Sequence, residues 1–482
     1  RKIFHENVTF FKKYVNPENF SEYDLIDHVK KHTLIYLLRA IRINKVIHAL
    51  KGKVFNVFPI RRTLIPAHIT IDTKTLIAMF MSNNAYLTKN INNSKDQVWK
   101  EIFNMKHKIF KKSGYKFAHI IKTDGCSISV LFERLDSNNE VIKMPLRYEQ
   151  KRVKYQKNQL KYIDQVNPQI FDDKKIVTID PGLRSLITAV HIKRQFNVDP
   201  TNATPNYDYK NNEIIKFKYT QRQRGVETRK YKYRDIIENH KKTTIIEGVS
   251  VKAIESMLSV STSKSLELVD HREYCILKNI TESLLGSHYN EKLYRKLKLN
   301  LYINTQKSES KMLNNFRKKM GSPDDIVVVY GNYSKTTNKR GNEPAACGRI
   351  KKRIQKQGYK ICMIDEYLTS KVCNSCEQKC GNVYSTLNKK PKKGKEHQNM
   401  ENASEKLQNT CLYKNYKYKI KNQEPEKIKT ESKKGEKIWG LLYCTNKVCN
   451  KYYDRDINAC MNMQKITSST ILGHGRPEAY KR

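Results

Sequence analysis

Acidic residues are scarce in this chain. Aspartate and glutamate total 47 against 93 lysines and arginines in 482 residues, leaving a formal charge of +46. Such a surplus destabilises a compact state by self-repulsion unless a polyanion neutralises it. A lysine-rich compositional bias would raise the basic count but would not explain the missing acids. Nucleic acid is therefore the partner the charge implies, because neutralised phosphates release counterions. A run of about 18 apolar residues is also lacking, so no membrane span is expected. The chain opens on Arg1 rather than Met and lacks a signal-peptide pattern, as expected if the native N-terminus is missing. The histidines receive no role. The cysteines do not read as a disulfide framework: the eleven are odd in number, and two pairs have metal-ligand spacing. That usage fits a reducing cytosol or nucleus.

Length alone suggests two to four domains. Apolar positions between Asp24 and Leu50 are spaced for one or two amphipathic helices, and Gln97 to Lys112 reads as another. Phe117–Ile121 and Ser127–Phe132 read as strands around the turn Thr123-Asp124-Gly125, and such strands could belong to a small β-barrel. A second unit begins near Lys174. Its strands are expected at Lys175–Ile179, Leu186–Ile192 and Ile214–Tyr219, followed by a basic helix from Gln221 to Asn239. Helical patterns run from Ser263 to Lys319, and two more strands are expected at Ile326–Tyr330 and Tyr359–Ile364. Three meandering strands, helices and two further strands match the order of an RNase H-like sheet.

The last quarter carries the strongest chemical signal. Cys373-x2-Cys376 and Cys444-x4-Cys449 have the spacing of a closed, tetrahedral structural zinc site, with Cys380 and Cys411 as feasible substitutes. Cys126, Cys275, Cys347, Cys362 and Cys460 read as core thiols. Between the pairs lies a polar insert, Glu377 to Tyr443, with the lysine run Lys389 to Lys395, expected to be largely disordered.

Two-metal cleavage of a phosphodiester needs several converging carboxylates, and magnesium prefers such oxygen donors. Asp180 ends an apolar strand before Pro181-Gly182, although a strand-end aspartate is more commonly a turn residue. Asp456 stands at the entry to a helix, where the bland role is a cap. The strand Ile326–Tyr330, which should sit beside the first, ends in Gly331-Asn332 with no acid. The next strand ends in Asp365-Glu366, about 4.8 Å further out. Adjacent residues face opposite sides, so only one of the two can point inward, and Glu366 has the longer reach.

These residues resemble the RuvC nuclease of the TnpB family, transposon-encoded relatives of type V CRISPR effectors, and are most similar to its eukaryotic and viral branch, Fanzor. The resemblance spans about residues 115 to 465. It is carried by Thr123-Asp124-Gly125, Ile179-Asp180-Pro181-Gly182-x-Arg184, Gln221-Arg222-Gln223-Arg224 and Tyr330-Gly331-Asn332-Tyr333-Ser334. Asp365-Glu366-Tyr367-x-Thr369-Ser370-x2-Cys373, the second cysteine pair and Arg455-Asp456-x-Asn458-Ala459 complete the series. TnpB proteins carry a glutamate at the end of the second RuvC strand; Fanzor proteins lack it and supply a displaced one, which maps to Glu366.

The resemblance implies an α/β plus α+β architecture: an RNase H-like RuvC nuclease domain with an inserted zinc-binding hairpin, preceded by a mixed helical and β-barrel recognition region. The corresponding boundaries are 1–172 for the REC-like and WED-like N-terminal region, 173–370 and 453–482 for the RuvC domain, and 371–452 for the zinc-binding insert. It also implies an RNA-guided DNA endonuclease that binds a transposon-encoded guide RNA and cuts complementary double-stranded DNA beside a short motif, with no small-molecule substrate. Asp180, Glu366 and Asp456 would bind two Mg2+, and Cys373, Cys376, Cys444 and Cys449 a structural Zn2+. Arg184, Arg222, Arg224, Arg229, Lys230 and Arg455 are the expected nucleic-acid contacts. Localisation would be nuclear in a eukaryotic host, or cytoplasmic in a viral factory. A guided binding protein with weak or no cleavage, or an RNA-independent structure-specific nuclease, would use many of the same residues.

Overall fold

The computed structural model describes residues 22–57, 64–82, 84–142, 160–193, 213–333, 346–384, 404–409 and 437–482. The chain divides into two compact units, each assembled from non-contiguous segments. One comprises Arg1–Glu140, Lys232–Leu299 and Gly394–Ile428; the other comprises Val141–Tyr231, Asn300–Lys393 and Lys429–Arg482. No described helix is long and apolar enough to cross a membrane.

In the first unit the expected amphipathic stretch forms helices Glu22–Lys31 and Thr33–Ala49. Strands β1 (Ile69–Asp72), β2 (Tyr115–Thr123) and β3 (Ile128–Arg134) form an antiparallel sheet in that order. Among the described residues this is an open three-stranded sheet, not the barrel expected from the sequence. Trp99, Phe117, Leu76 and Ile77 fill its core, and the Trp99 indole N–H donates to Thr73 Oγ1 at 3.0 Å. The helix expected over 97–112 instead spans Ile91–Ile102, followed by a single 3-10 turn at Lys108–Phe110. The Asp-Gly turn between β2 and β3 is built around the Asp124 carboxylate, which accepts from the Cys126 and Ser127 amides and the Ser127 hydroxyl. A second core in this unit packs Val251, Ile254, Met257, Leu277 and Leu285 against Tyr289 and Tyr294.

The second unit is built on one mixed sheet. Strands β4 (Lys175–Asp180), β5 (Ser185–Ile192) and β6 (Ile214–Thr220) form an antiparallel meander, and β7 (Ile326–Gly331) and β8 (Lys360–Ile364) add in parallel on the other side of β4. The spatial order is β8-β7-β4-β5-β6. Both faces are covered, which explains why β5 and β7 are buried along their whole length. Val177, Ile179, Val328 and Tyr330 face a cluster containing Phe316, Ile350 and Ile354. Ile176, Val327, Val329 and Ile364 face the opposite cluster, with Met463, Ile466 and Tyr480. This two-residue alternation decides what points where at the strand ends.

The single basic helix expected from Gln221 to Asn239 is two helices, Gln221–Glu227 and Lys230–Thr243. The break falls at Arg229, whose φ of 57° is left-handed and incompatible with a continuing helix. Thr220 caps the first by accepting from the Gln223 amide at 3.0 Å. The cysteine-bearing segment forms a small antiparallel sheet of β9 (Cys380–Tyr384), β10 (Lys437–Cys444) and β11 (Tyr452–Asp454). The lysine run Lys389 to Lys395, and Cys411, lie outside the described residues.

Candidate functional site

Asp180 ends β4 with the same parity as Ile176 and Thr178, so its side chain belongs to the face covered by the helix Arg455–Ile471. Two hydrogen bonds hold that helix to the sheet: the Thr178 hydroxyl donates to the Cys460 carbonyl at 3.0 Å, and the Cys460 thiol to the Thr188 carbonyl at 3.1 Å. Asp456 lies in its first turn. It is not the cap, because Asp454 performs that role by accepting from the amides of Asp456 and Ile457. With the orphan N–H groups served by Asp454, the Asp456 carboxylate is free to face the sheet, 17% exposed and 3.4 Å from Arg455 Nε.

Glu366 follows β8 with the parity of Ile364, on this same face. Strand β7 lies between β8 and β4, so Glu366 must cross the end of β7 to approach Asp180. Gly331 makes the crossing possible: a Cβ there would collide with the Glu366 carboxylate. The Tyr333 amide then donates to Glu366 Oε1 at 3.0 Å and fixes the carboxylate in place. Asp365 turns elsewhere, accepting from Arg482 Nη2 at 3.0 Å and from the Tyr367 amide. Of the two adjacent acids, Glu366 is therefore the one beside Asp180.

The charges of Glu366 and Asp456 reach Asp180. Burial pushes the Asp180 carboxyl well above the usual range, and the charges of Glu366 and Asp456 add to the shift. Burial likewise raises Glu366 to about 7, against the opposing pull of the Tyr333 hydrogen bond. The three half-buried carboxylates offer only oxygen donors, a type that suits a hard divalent cation such as Mg2+, although their oxygens are not all drawn within 4.8 Å of one another.

The second constellation consists of thiols. The Sγ atoms of Cys373, Cys376, Cys444 and Cys449 all lie within 4.8 Å of one another. Cys373 and Cys449 are separated by 3.8 Å and Cys376 and Cys444 by 3.3 Å. Tetrahedral zinc with Zn–S bonds of about 2.3 Å requires sulfurs about 3.8 Å apart, so the donor set fits. Cys380 sits opposite Cys444 in the sheet but outside this group. Burial pushes the Cys373 thiol up, yet hydrogen bonds from Tyr453 and from the Cys376 and Ser375 amides bring it down to about 7. Of the cysteines read as core residues, Cys347, Cys362 and Cys460 are buried, whereas Cys126 and Cys275 are only half-buried.

Two asparagines join the constellations. The Asn458 side chain donates to the Val372 carbonyl at 2.7 Å and accepts from the Asn374 amide at 3.0 Å. Asn462 donates to the Thr369 and Val372 carbonyls at 2.7 and 2.8 Å. The helix bearing Asp456 is thereby fastened to the loop that runs from Glu366 into Cys373. Sequence reading placed Asn458 in a motif but gave it no function, and it overlooked Asn462, Asp454 and the steric role of Gly331. Only the absence of an acid at Gly331 hinted at that last role.

The expected nucleic-acid contacts separate into groups. Arg184, Arg222 and Arg229 are exposed, while Lys230 is half-buried. Arg455 lies at the acids. Arg224 departs from expectation: it is only 17% exposed and turned toward Glu309, 3.9 Å away. Glu309 is itself 2% exposed and also pairs with Arg349 and Arg353 at 2.6 and 3.0 Å. A buried carboxylate needs such partners, so Arg224 is better understood as part of this internal ion cluster than as a phosphate contact.

A family model described as a domain of unknown function (DUF8286) matches residues 69–134, the segment of β1 to β3. No curated protein matches the chain. Among solved structures it is similar to the mini-RNA-guided endonuclease CRISPR-Cas_phi3, with a TM-score of 0.30 and 10% identity over 78% of this chain and 55% of that one. It is similar to AacC2c1 in a binary complex with sgRNA, with a TM-score of 0.26 and 9% identity over 74% and 48% of the two chains. A third similarity is to CasPhi-2 (Cas12j) bound to crRNA and phosphorothioate-DNA, with a TM-score of 0.28 and 9% identity over 76% and 53%. The chain spans about half the length of these structures.

Proposed function

We propose that this chain is an RNA-guided, metal-dependent DNA endonuclease of the Fanzor type, with Asp180, Glu366 and Asp456 as the ligands of two Mg2+ ions. The observation that carries the nuclease reading is the convergence of these acids on one face of the sheet, with Gly331 leaving room for Glu366. The strand order β8-β7-β4-β5-β6, antiparallel only at β5, supports an RNase H-like RuvC fold. When bound, the ions would activate the attacking water and stabilise the leaving oxygen. The chain's own residues have narrower tasks. Tyr333 N–H orients Glu366, Asp454 keeps Asp456 free of capping, and Arg455 offers a cation beside the acids. Cys373, Cys376, Cys444 and Cys449 would hold a structural Zn2+ that keeps the late carboxylates in register.

The guided part of the reading rests on the ordered motif series and the charge surplus. Sequencing the RNA that co-purifies with the full chain tests it: one structured RNA species with a variable end is expected. Site-directed cleavage by protein freed of RNA would overturn guidance while leaving the nuclease intact. Asp180→Ala should lower cleavage by about 10²–10³-fold, because several kcal/mol of charge stabilisation are lost. An active Asp180→Ala variant would refute the assignment of the acids.

A further inference from the structure

The first unit contains a group of metal-type ligands that plays no part in the proposed nuclease site. His240 comes from the helix Lys230–Thr243, His288 from the end of the helix Leu268–Tyr289, and Glu291 from the turn that follows. One donor atom from each lies within 4.8 Å of the others. The two imidazoles address different oxygens of one carboxylate: His240 Nε2 is 2.8 Å from Glu291 Oε2, and His288 Nδ1 is 3.4 Å from Glu291 Oε1.

His288 is the informative residue. Its side chain is 1% exposed, and Nδ1 is buried without a hydrogen-bond partner. Its other nitrogen, Nε2, hydrogen-bonds the Tyr294 hydroxyl. If Nε2 carries the proton and donates to that oxygen, Nδ1 presents a lone pair toward Glu291. A ligating histidine is commonly fixed in this way by a bond to its other nitrogen. Burial also holds the His288 pKa below its ordinary value, favouring the neutral form that binds metals. Lys241, the neighbouring cation, is paired with Glu255 at 2.9 Å and leaves the carboxylate of Glu291 to the histidines.

We propose that His240, His288 and Glu291 form a second divalent-metal site for an ion of the zinc class, open to water at a fourth position. Bonds of about 2.0–2.2 Å in tetrahedral geometry put donor atoms about 3.3–3.6 Å apart. The 3.4 Å separation already matches, and small adjustments of the partly exposed His240 and Glu291 side chains bring in the rest. Such an ion would clip the ends of two helices to the turn before a third. The proposal does not depend on the nuclease reading.

The test is metal content of the full chain carrying Asp180→Ala, which disables the carboxylate site and serves as the parent, stripped with chelator and reloaded with Zn2+ or Co2+ alone. The parent should bind about two ions, one per site, and Glu291→Gln about one. Cys373→Ser should also retain about one, and its Co2+ form should show weak visible bands without thiolate charge transfer. Unchanged metal content in Glu291→Gln overturns the proposal. So does a Cys373→Ser protein that binds no Co2+, an outcome that leaves the thiol site standing. If Glu291→Gln proves poorly folded, the Co2+ spectrum of Cys373→Ser decides alone.

Discussion

The thiol and carboxylate constellations of the second unit are built from the same materials in opposite ways. Around the four cysteines every sulfur has a close sulfur neighbour, and the Tyr453 hydroxyl lies within 3.2 Å of Cys373 and 3.7 Å of Cys449. Its ligands come from short knuckles in adjoining hairpins, and its spacing matches one tetrahedral ion. The acids come from two strand ends and a helix start, and burial together with the charges of Glu366 and Asp456 raises the affinity of Asp180 for its proton. The first arrangement is satisfied by being filled. The second retains its mutual repulsion, the condition in which a bound cation and a charged substrate oxygen gain most. Under the proposed assignment, a structural site and a reactive one differ in how well their ligands are satisfied without metal.

Four further experiments would break or sharpen that contrast. The largest effect is expected from exchanging the two adjacent acids. Glu366→Gln should reduce cleavage by about 10²–10³-fold, as several kcal/mol of charge stabilisation disappear, while Asp365→Asn should stay near the parent. A dead Asp365→Asn beside an active Glu366→Gln, in a plasmid-cleavage assay, would reverse the assignment. Gly331→Ala comes next. The new Cβ displaces the Glu366 carboxylate, so cleavage should fall about tenfold or more, with an overpacking cost of about 1–3 kcal/mol in denaturant melts. Full activity in that variant would show that Glu366 does not need the path across β7.

The third experiment uses pH. Glu366 has a folded pKa of about 7 against an ordinary 4.5. A carboxyl raised in this way binds its proton more tightly when folded, so metal-free stability falls as pH rises from 4.5 through 7. For this group the cost should be roughly 3 kcal/mol by pH 8. Mg2+ should therefore raise Tm more at pH 8 than at pH 6, and equal shifts at both would argue against metal binding at the acids. Asn458→Ala should have the smallest effect. Losing its buried bonds to Val372 and Asn374 should cost about 1–3 kcal/mol by urea unfolding, with cleavage reduced less than in Glu366→Gln. If Asn458→Ala matched Glu366→Gln in activity loss at unchanged stability, the linkage between thiols and acids would need a different account.

Much of the second unit was legible because its signals are local. Every strand of the five-stranded sheet was expected within a residue or two, since β-branched runs bounded by turns identify buried strands. The cysteine spacing pointed to the four thiols that the fold gathers, because such knuckles are short-range objects. The choice of Glu366 over Asp365 followed from side-chain reach and strand alternation. The misses share a cause: each depends on which particular groups a side chain meets, near or far along the chain. The basic run from Gln221 breaks at Arg229, and the turn there brings Tyr231 against Gly225, while Arg224 faces a glutamate 85 positions later. The Asp454 side chain, adjacent to the motif, took the capping role that the sequence offered to Asp456.

The histidines mark the same boundary from the other side. His240, His288 and Glu291 have no ligand spacing in sequence, and only helix packing gathers them. What the chain by itself determined is its charge, its strands, its cysteine site and the identity of the acids available. What tertiary structure decided is which of those groups meet: parity sends Asp180 and Glu366 to one face, Gly331 opens the crossing, and a capped helix brings in Asp456. Local propensity acts through neighbouring residues, whereas a site made of repelling charges forms only where the packing of whole elements holds it together.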